Sequence, residues 1–319
     1  MKLRCAVLDD YQQVALTIAD WSSISDQVEI ESFNRHFMDE DELISKLSHF
    51  EIIVIMRERT PFRAALFARL PRLKLLVTTG MWNASIDLEA AALHGVTVCG
   101  TSGNSEPTVE LTWALILGLA RNLVQENNAL RNNGPWQSTL GTDLHGKRLG
   151  LLGLGKIGSR VARVGLAFGM EVMAWSQNLT KDRTDQAGVQ LAASKEELLK
   201  SSDFVSIHLV LSERTRGLIG TSELQQMRPS AYLINTSRAP IVNQAAFIEA
   251  LQKGWIAGAG IDVYDMEPLP EDDILRSLQN VLTTPHLGYV SKGNYHTFYQ
   301  GAVEDIQAFL SGAPIRKLS

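Results

Sequence analysis

Gly150-Leu151-Leu152-Gly153-Leu154-Gly155-Lys156-Ile157-Gly158 lies between an apolar run and a helical pattern, and its reading decides the fold. Gly153, Gly155 and Gly158 stand in G-x-G-x-x-G spacing. At a strand-to-helix turn the first glycine permits the tight bend, the second lets the backbone approach a pyrophosphate, and the third lets helix pack on strand. The helix that follows, opening at Lys156 and Ile157, offers unpaired N–H groups and a positive dipole end. With 24 glycines in 319 residues the spacing arises by chance roughly 0.13 times per chain, so the flanks must decide. Residues 148–152 read as a short buried strand, 157–168 as a helix with one apolar face, and 171–175 as the next strand. Together they make a βαβ unit.

The same alternation extends in both directions. Upstream, apolar strands are expected at 3–8, 28–33, 52–56, 73–78 and 96–99, with helices at 40–47, 61–70 and 88–93. A polar, glycine-bearing stretch at 100–107 reads as a hinge, and one long helix should run from about 105–108 towards Leu130, closed by Gly134-Pro135. Downstream, strands are expected at 204–209, 231–235, 257–261 and 281–284, with a clear helix at 244–253 and a last one at 294–310. Strands alternating with helices imply parallel sheets covered on both faces, so the fold class is α/β with two doubly wound units.

Composition narrows the function. A chain of 319 residues with 45% hydrophobic residues can fill two cores, and a net charge of -5 gives nucleic acid or an anionic membrane no electrostatic handle. Cys5 and Cys99 are far apart, with no C-x-x-C or histidine-rich metal spacing, and read as free buried thiols of a reducing compartment. The N-terminal apolar stretch stops at Asp9, and the longest apolar run, 111–120, is half a membrane span. A cytoplasmic, metal-free protein is expected.

In open α/β sheets ligands collect outside the carboxyl ends of the strands. His208, Thr236-Ser237-Arg238, Asp262 and His286 all fall at such ends, in the plane of the glycine loop. Transfer of hydride between nicotinamide and a carbon bearing oxygen suits this set. An Arg can hold a carboxylate with two parallel N–H bonds, a His can move the proton, and a carboxylate beside the His fixes its tautomer and favours its charged form. Arg238, His286 and Glu267 are the matching types. Taken singly each has a plain structural reading, as a solvated loop Arg, a satisfied loop His and a turn carboxylate; their joint placement carries the argument.

Residues 144–158, residues 227–238 ending in Arg238, residues 258–268 with Glu267, and Thr284-Pro-His-Leu-Gly288 resemble the signature segments of the D-isomer-specific 2-hydroxyacid dehydrogenases. The resemblance implies that Arg238 binds substrate carboxylate and carbonyl, that His286 is the acid/base, and that Glu267 pairs with it. It also implies that Asp262 contacts the nicotinamide carboxamide. Residues 1–101 with 287–319 would form a flavodoxin-like substrate domain and 102–286 an inserted Rossmann domain, the cleft closing by hinge motion, in a homodimer joined through the nucleotide domains. Cofactor contacts are expected at Gly153, Gly155, Lys156, Ile157, Gly158, Ser176, Gln177, His208, Thr236, Asp262 and Thr108, and substrate contacts at Gly80, Met81, Trp82 and Arg238, with Arg57, Arg59 and Tyr289 as further pocket candidates. Formate dehydrogenases carry Gln where Glu267 stands and are disfavoured.

Three departures matter. The loop 79–84 has Trp82 where the family commonly has a second glycine, and Ala239-Pro240 follow Arg238 in place of the more common Gly. The acid expected about 20 residues beyond the glycines, for the ribose 2′-OH of NAD, is absent from Trp175-Ser176-Gln177-Asn178. No Arg replaces it at once; Lys181 and Arg183 come later, so the sequence favours NAD only narrowly over NADP. The competing reading is a nucleotide-sensing corepressor-like binding protein, which would not need Arg, Glu and His together.

Overall fold

The computed structural model describes residues 2–318, which fall into two compact units, 2–104 with 291–318, and Ser105–Val290. Up to Gly100 the elements are β1 (Leu3–Val7), α1 (Ala15–Ile18), β2 (Val28–Ser32), α2 (Glu40–Leu47), β3 (Ile52–Ile55), α3 (Ala64–Ala68), β4 (Leu75–Thr78), α4 (Leu88–Leu93) and β5 (Thr97–Gly100). All five strands pair parallel, in the order β2-β1-β3-β4-β5. Ile-Ile-Val-Ile of β3 and Leu-Leu-Val-Thr of β4 are buried throughout, which is why they read as unbroken apolar runs rather than alternating ones.

The second unit holds α5 (Glu106–Ala120), α6 (Leu123–Arg131), β6 (Arg148–Leu152), α7 (Lys156–Ala167), β7 (Glu171–Trp175), α8 (Lys181–Ala187), β8 (Gln190–Leu191), α9 (Lys195–Ser201), β9 (Phe204–Ile207), α10 (Thr221–Gln226), β10 (Tyr232–Asn235), α11 (Gln244–Gln252), β11 (Gly258–Ile261) and β12 (Val281–Thr283). Its parallel sheet runs β12-β11-β10-β9-β6-β7-β8. The chain leaves β6 towards β7 and β8, then returns to β9 and builds outward on the other side. The switch therefore falls between β6 and β9, the place where a doubly wound sheet opens a crevice.

Two expectations are corrected here. The single long helix is two, because Asn122 takes a left-handed backbone (φ +49°) between α5 and α6, a conformation asparagine tolerates better than most residues. The helix expected over 61–70 is confined to Ala64–Ala68, since Phe62 leaves the helical path to make a bridge with Ile86. α5 is apolar on most sides and buries Val109, Trp113, Leu115 and Ile116; α6 buries no residue.

The last helix, α12 (Lys292–Leu310), packs Tyr295, Phe298, Tyr299, Val303 and Ile306 into the first unit. Asn294 holds its start by two bonds to Asn104, accepting from the backbone N–H at 2.8 Å and donating to the carbonyl at 3.0 Å. Lys317 then bridges antiparallel to Cys99, so the chain end lies along β5. Both cysteines are buried and free.

Candidate active site

The glycine loop is shaped by its neighbours. β6 and β9 are in register, with Leu152 opposite Ile207, so Gly153 follows β6 where His208 follows β9. Gly153 has φ +105°, and a Cβ on it would fall 2.6 Å from the His208 carbonyl oxygen; one on Gly158 would overlap the carbonyl oxygen of Gly153. Around Gly155, by contrast, nothing stands within 4 Å of where a Cβ would be. Two glycines are thus demanded by packing, and the third leaves an open approach to the backbone at the start of α7, whose N–H groups at Lys156 and Ile157 bond to nothing among the described residues. That open cradle, at a 12-residue helix N-terminus, fits the pyrophosphate of a dinucleotide.

Other expected cofactor residues line the same sheet edge with different degrees of freedom. His208 is half-buried, its Nε2 lies 2.9 Å from Ser206 Oγ, and desolvation pushes its pKa down to about 4, so it is neutral at physiological pH. Thr236 is committed to α5: its hydroxyl lies 2.9 Å from that of Thr112, which itself donates to the Thr108 carbonyl. The Thr108 hydroxyl donates to the carbonyl of Gly288 at 2.8 Å. Ser176 is half-buried and Gln177 exposed just past β7.

β10, β11 and β12 bring Arg238, Glu267 and His286 together. The Glu267 Oε2 to His286 Nδ1 distance is 2.6 Å, and Glu267 Oε1 accepts from the Tyr264 backbone N–H at 3.0 Å. Burial alone would raise the Glu267 carboxyl; the His286 hydrogen bond and charge, the Tyr264 N–H and the Arg238 charge reverse this and hold it below its ordinary 4.5. An ionised Glu267 accepts a proton-bearing Nδ1, which leaves Nε2 as the ring nitrogen for exchange. The ring of Tyr289 meets that of His286 edge-on at 5.2 Å. Arg238 is half-buried, with Nη1 donating to the Ser237 carbonyl at 2.8 Å and its own carbonyl accepting from Asn235 Nδ2 at 3.1 Å.

Asp262 works from behind. One of its oxygens accepts from Thr284 Oγ1 and from the Leu287 N–H, both at 2.6 Å, and the other accepts from the Gly288 N–H at 2.8 Å. These bonds pin the turn in which His286 has φ +53°, a strained backbone for a non-glycine residue. Burial raises the Asp262 carboxyl, and the Thr284 bond, the His286 charge and the two backbone donors only partly offset it. Thr284, Tyr264 and Asn235 were not singled out in the sequence; the only signal for them is adjacency to Asp262, Glu267 and Arg238.

In the first unit, Gly80, Met81 and Trp82 follow β4. Gly80 has φ +95°, its N–H donates to Thr101 Oγ1 at 3.1 Å, and a Cβ there would overlap the Arg57 guanidinium. Arg57 is fixed by its own N–H donating to Thr79 Oγ1 at 2.9 Å and by Asn83 Nδ2 donating to its carbonyl at 2.7 Å. The Gly80 N–H is therefore already used, whereas Met81 and Trp82, 48% and 59% exposed, keep backbone donors that bond to nothing among the described residues. Arg59 turns towards β1, with Nη1 on the Asp9 carbonyl at 2.9 Å. No group of three or more His, Cys, Asp or Glu among the described residues could hold a metal ion.

The second unit is thus a doubly wound dinucleotide-binding domain with an Arg and a Glu–His couple at its strand ends. The model of the "D-isomer specific 2-hydroxyacid dehydrogenase, NAD binding domain" matches residues 113–288, and the chain belongs to that family of oxidoreductases. It is 39% identical to a glyoxylate reductase of Aeropyrum pernix over 77% of this chain and 76% of the relative. It is 35% identical to a D-3-phosphoglycerate dehydrogenase of Bacillus subtilis over 86% of this chain but 52% of that longer protein. A crystal structure of a phosphoglycerate oxidoreductase from Vibrio cholerae superposes with TM-score 0.93 at 38% identity, covering 98% of this chain and 100% of that one. The putative D-3-phosphoglycerate dehydrogenase of Ralstonia solanacearum does so with TM-score 0.93 at 35% identity, over 99% and 96%.

Proposed function

We propose that the protein reduces small 2-keto acids, glyoxylate and hydroxypyruvate foremost, to the corresponding 2-hydroxy acids, of D configuration where a stereocentre forms, at the expense of a reduced nicotinamide dinucleotide. The single observation that carries this reading is the 2.6 Å contact between His286 Nδ1 and an ionised Glu267, with Arg238 contributing to the same electrostatic environment. A corepressor-like binding role needs no such couple. The unit Ser105–Val290 takes the dinucleotide, a reading that the family match at 113–288 supports.

The bound nicotinamide supplies the hydride. Arg238 holds the carboxylate of the keto acid through paired N–H donors and orients its carbonyl. His286 gives the Nε2 proton to the carbonyl oxygen as negative charge develops there, and Glu267, 2.6 Å from Nδ1, keeps the ring oriented. Asp262, through Leu287 and Gly288, keeps the His286 turn in place.

Glu267→Gln keeps a hydrogen-bond acceptor and removes the charge. In the reductive direction kcat should fall about tenfold to a hundredfold at neutral pH. An unchanged kcat would remove Glu267 from the mechanism.

The protein is further proposed to be a homodimer through the second unit. Leu123 and Leu130 on α6 are 56% and 58% exposed, and Trp136 and Leu140 beyond it 80% and 97%, an apolar surface that its own unit leaves bare and a second copy would cover. Sedimentation equilibrium should give a dimer for the wild type and a monomer for Trp136→Asp with Leu140→Asp; a monomeric wild type would refute it.

A further inference from the structure

The far end of the dinucleotide site carries a charge arrangement that neither the family match nor the relatives assign. Past β7 the chain reads Ser176-Gln177-Asn178, without a carboxylate to receive a ribose 2′-OH. The two cations that follow in α8 then diverge. Lys181 turns back on its own helix, with Nζ at 2.6 and 2.7 Å from the two carboxylate oxygens of Asp185, so the charges of this pair cancel locally. Arg183 reaches out of the helix to the glycine loop, where Nη2 donates to the carbonyl of Leu154 at 3.0 Å. Leu154 stands between Gly153 and Gly155, so this guanidinium lies against the loop that would hold the pyrophosphate.

Arg183 has five N–H donors, of which the Leu154 bond takes one, and it pairs with no acid among the described residues. Asp182 precedes it directly, but consecutive residues of a helix do not face each other. The half-buried Ser176 hydroxyl and the exposed Gln177 and Asn178 amides complete a polar, uncharged rim. A planar, permanently charged fork beside such a rim matches a phosphate monoester and offers a bare 2′-hydroxyl little.

We propose that Arg183, held against Leu154, makes this end of the site a receptor for a ribose 2′-phosphate, so that the protein takes NADPH in preference to NADH. The inference rests on the dinucleotide reading above and adds the specificity of its adenosine end. The sequence leans to NAD because no Arg directly follows β7; folding brings one to the loop from α8.

The test needs no turnover. Calorimetry measures binding of adenosine 2′,5′-bisphosphate against AMP, and tryptophan quenching measures NADPH against NADH. The phosphorylated member of each pair should bind about tenfold tighter or better. Arg183→Gln should bring both ratios to about one, any loss from the missing Leu154 bond falling equally on both members of each pair, and Arg183→Lys, which keeps the charge but not the fork, should fall between. Ser176→Asp, which leaves Arg183 untouched, should reverse the preference by repelling the phosphate and accepting the 2′-OH. Ratios near one in the wild type, or a wild-type ratio retained in Arg183→Gln, would overturn the inference while leaving the dehydrogenase reading intact. Failure of all four nucleotides to bind would instead overturn the dinucleotide reading itself.

Discussion

Replacing Arg238 by Gln is expected to lower kcat/KM for a 2-keto acid about 10³-fold, or about 4 kcal/mol of transition-state stabilisation. The magnitude follows from two charge-assisted hydrogen bonds to a carboxylate, each contributing about 1.5–3 kcal/mol. Arg238→Lys keeps the charge and loses the parallel fork, so it should recover only a small part. The surrounding backbone is held independently, by Ser237 N–H donating to Asn235 Oδ1 at 3.0 Å and Ser237 Oγ donating to the Leu209 carbonyl at 2.5 Å. Dinucleotide affinity should therefore stay within about twofold, since Arg238 is assigned to substrate alone. Steady-state kinetics with a separate nucleotide titration checks both halves; a loss below about threefold would place the carboxylate elsewhere.

The second large effect belongs to His286. His286→Asn should reduce kcat about 10³-fold in both directions, within the range of positioned acid/base groups, with a smaller change in KM. Asparagine is the informative replacement because His286 has φ +53°. Asn tolerates that left-handed backbone better than Ala, so the turn held by Asp262 survives and only proton transfer is removed. Should kcat fall less than about tenfold, another group moves the proton.

What the sequence revealed, and what it hid, follows from the range of the interactions. Strands buried on both faces betray themselves as apolar runs, so the expected strand at 148–152 coincides with β6 and the one at 171–175 with β7. β8 escaped because it is two exposed residues, Gln190 and Leu191, with no periodicity to read. The strand-end rule drew Arg238, Asp262 and His286 to one edge without any knowledge of contacts.

The rest depended on pairings between distant residues. Nothing local in Thr284-Pro-His-Leu-Gly288 announces that Asp262 accepts three hydrogen bonds from it, or that His286 adopts a left-handed backbone. Gly80 reads locally as an anion donor, yet Thr101, 21 residues on, occupies its N–H. Lys181 and Arg183 look equivalent in the sequence, and only the partners Asp185 and Leu154 separate them.

The measurement that bears most directly on the central claim is the absorbance of the reduced nicotinamide when purified protein is mixed with NADPH or NADH and glyoxylate or hydroxypyruvate, followed by chiral analysis of the product. Stoichiometric oxidation of the cofactor, with D-glycerate formed from hydroxypyruvate and turnover by His286→Asn about 10³-fold slower, is the predicted result. Tight dinucleotide binding without oxidation across a panel of 2-keto acids, or formation of the L-hydroxy acid, would contradict it.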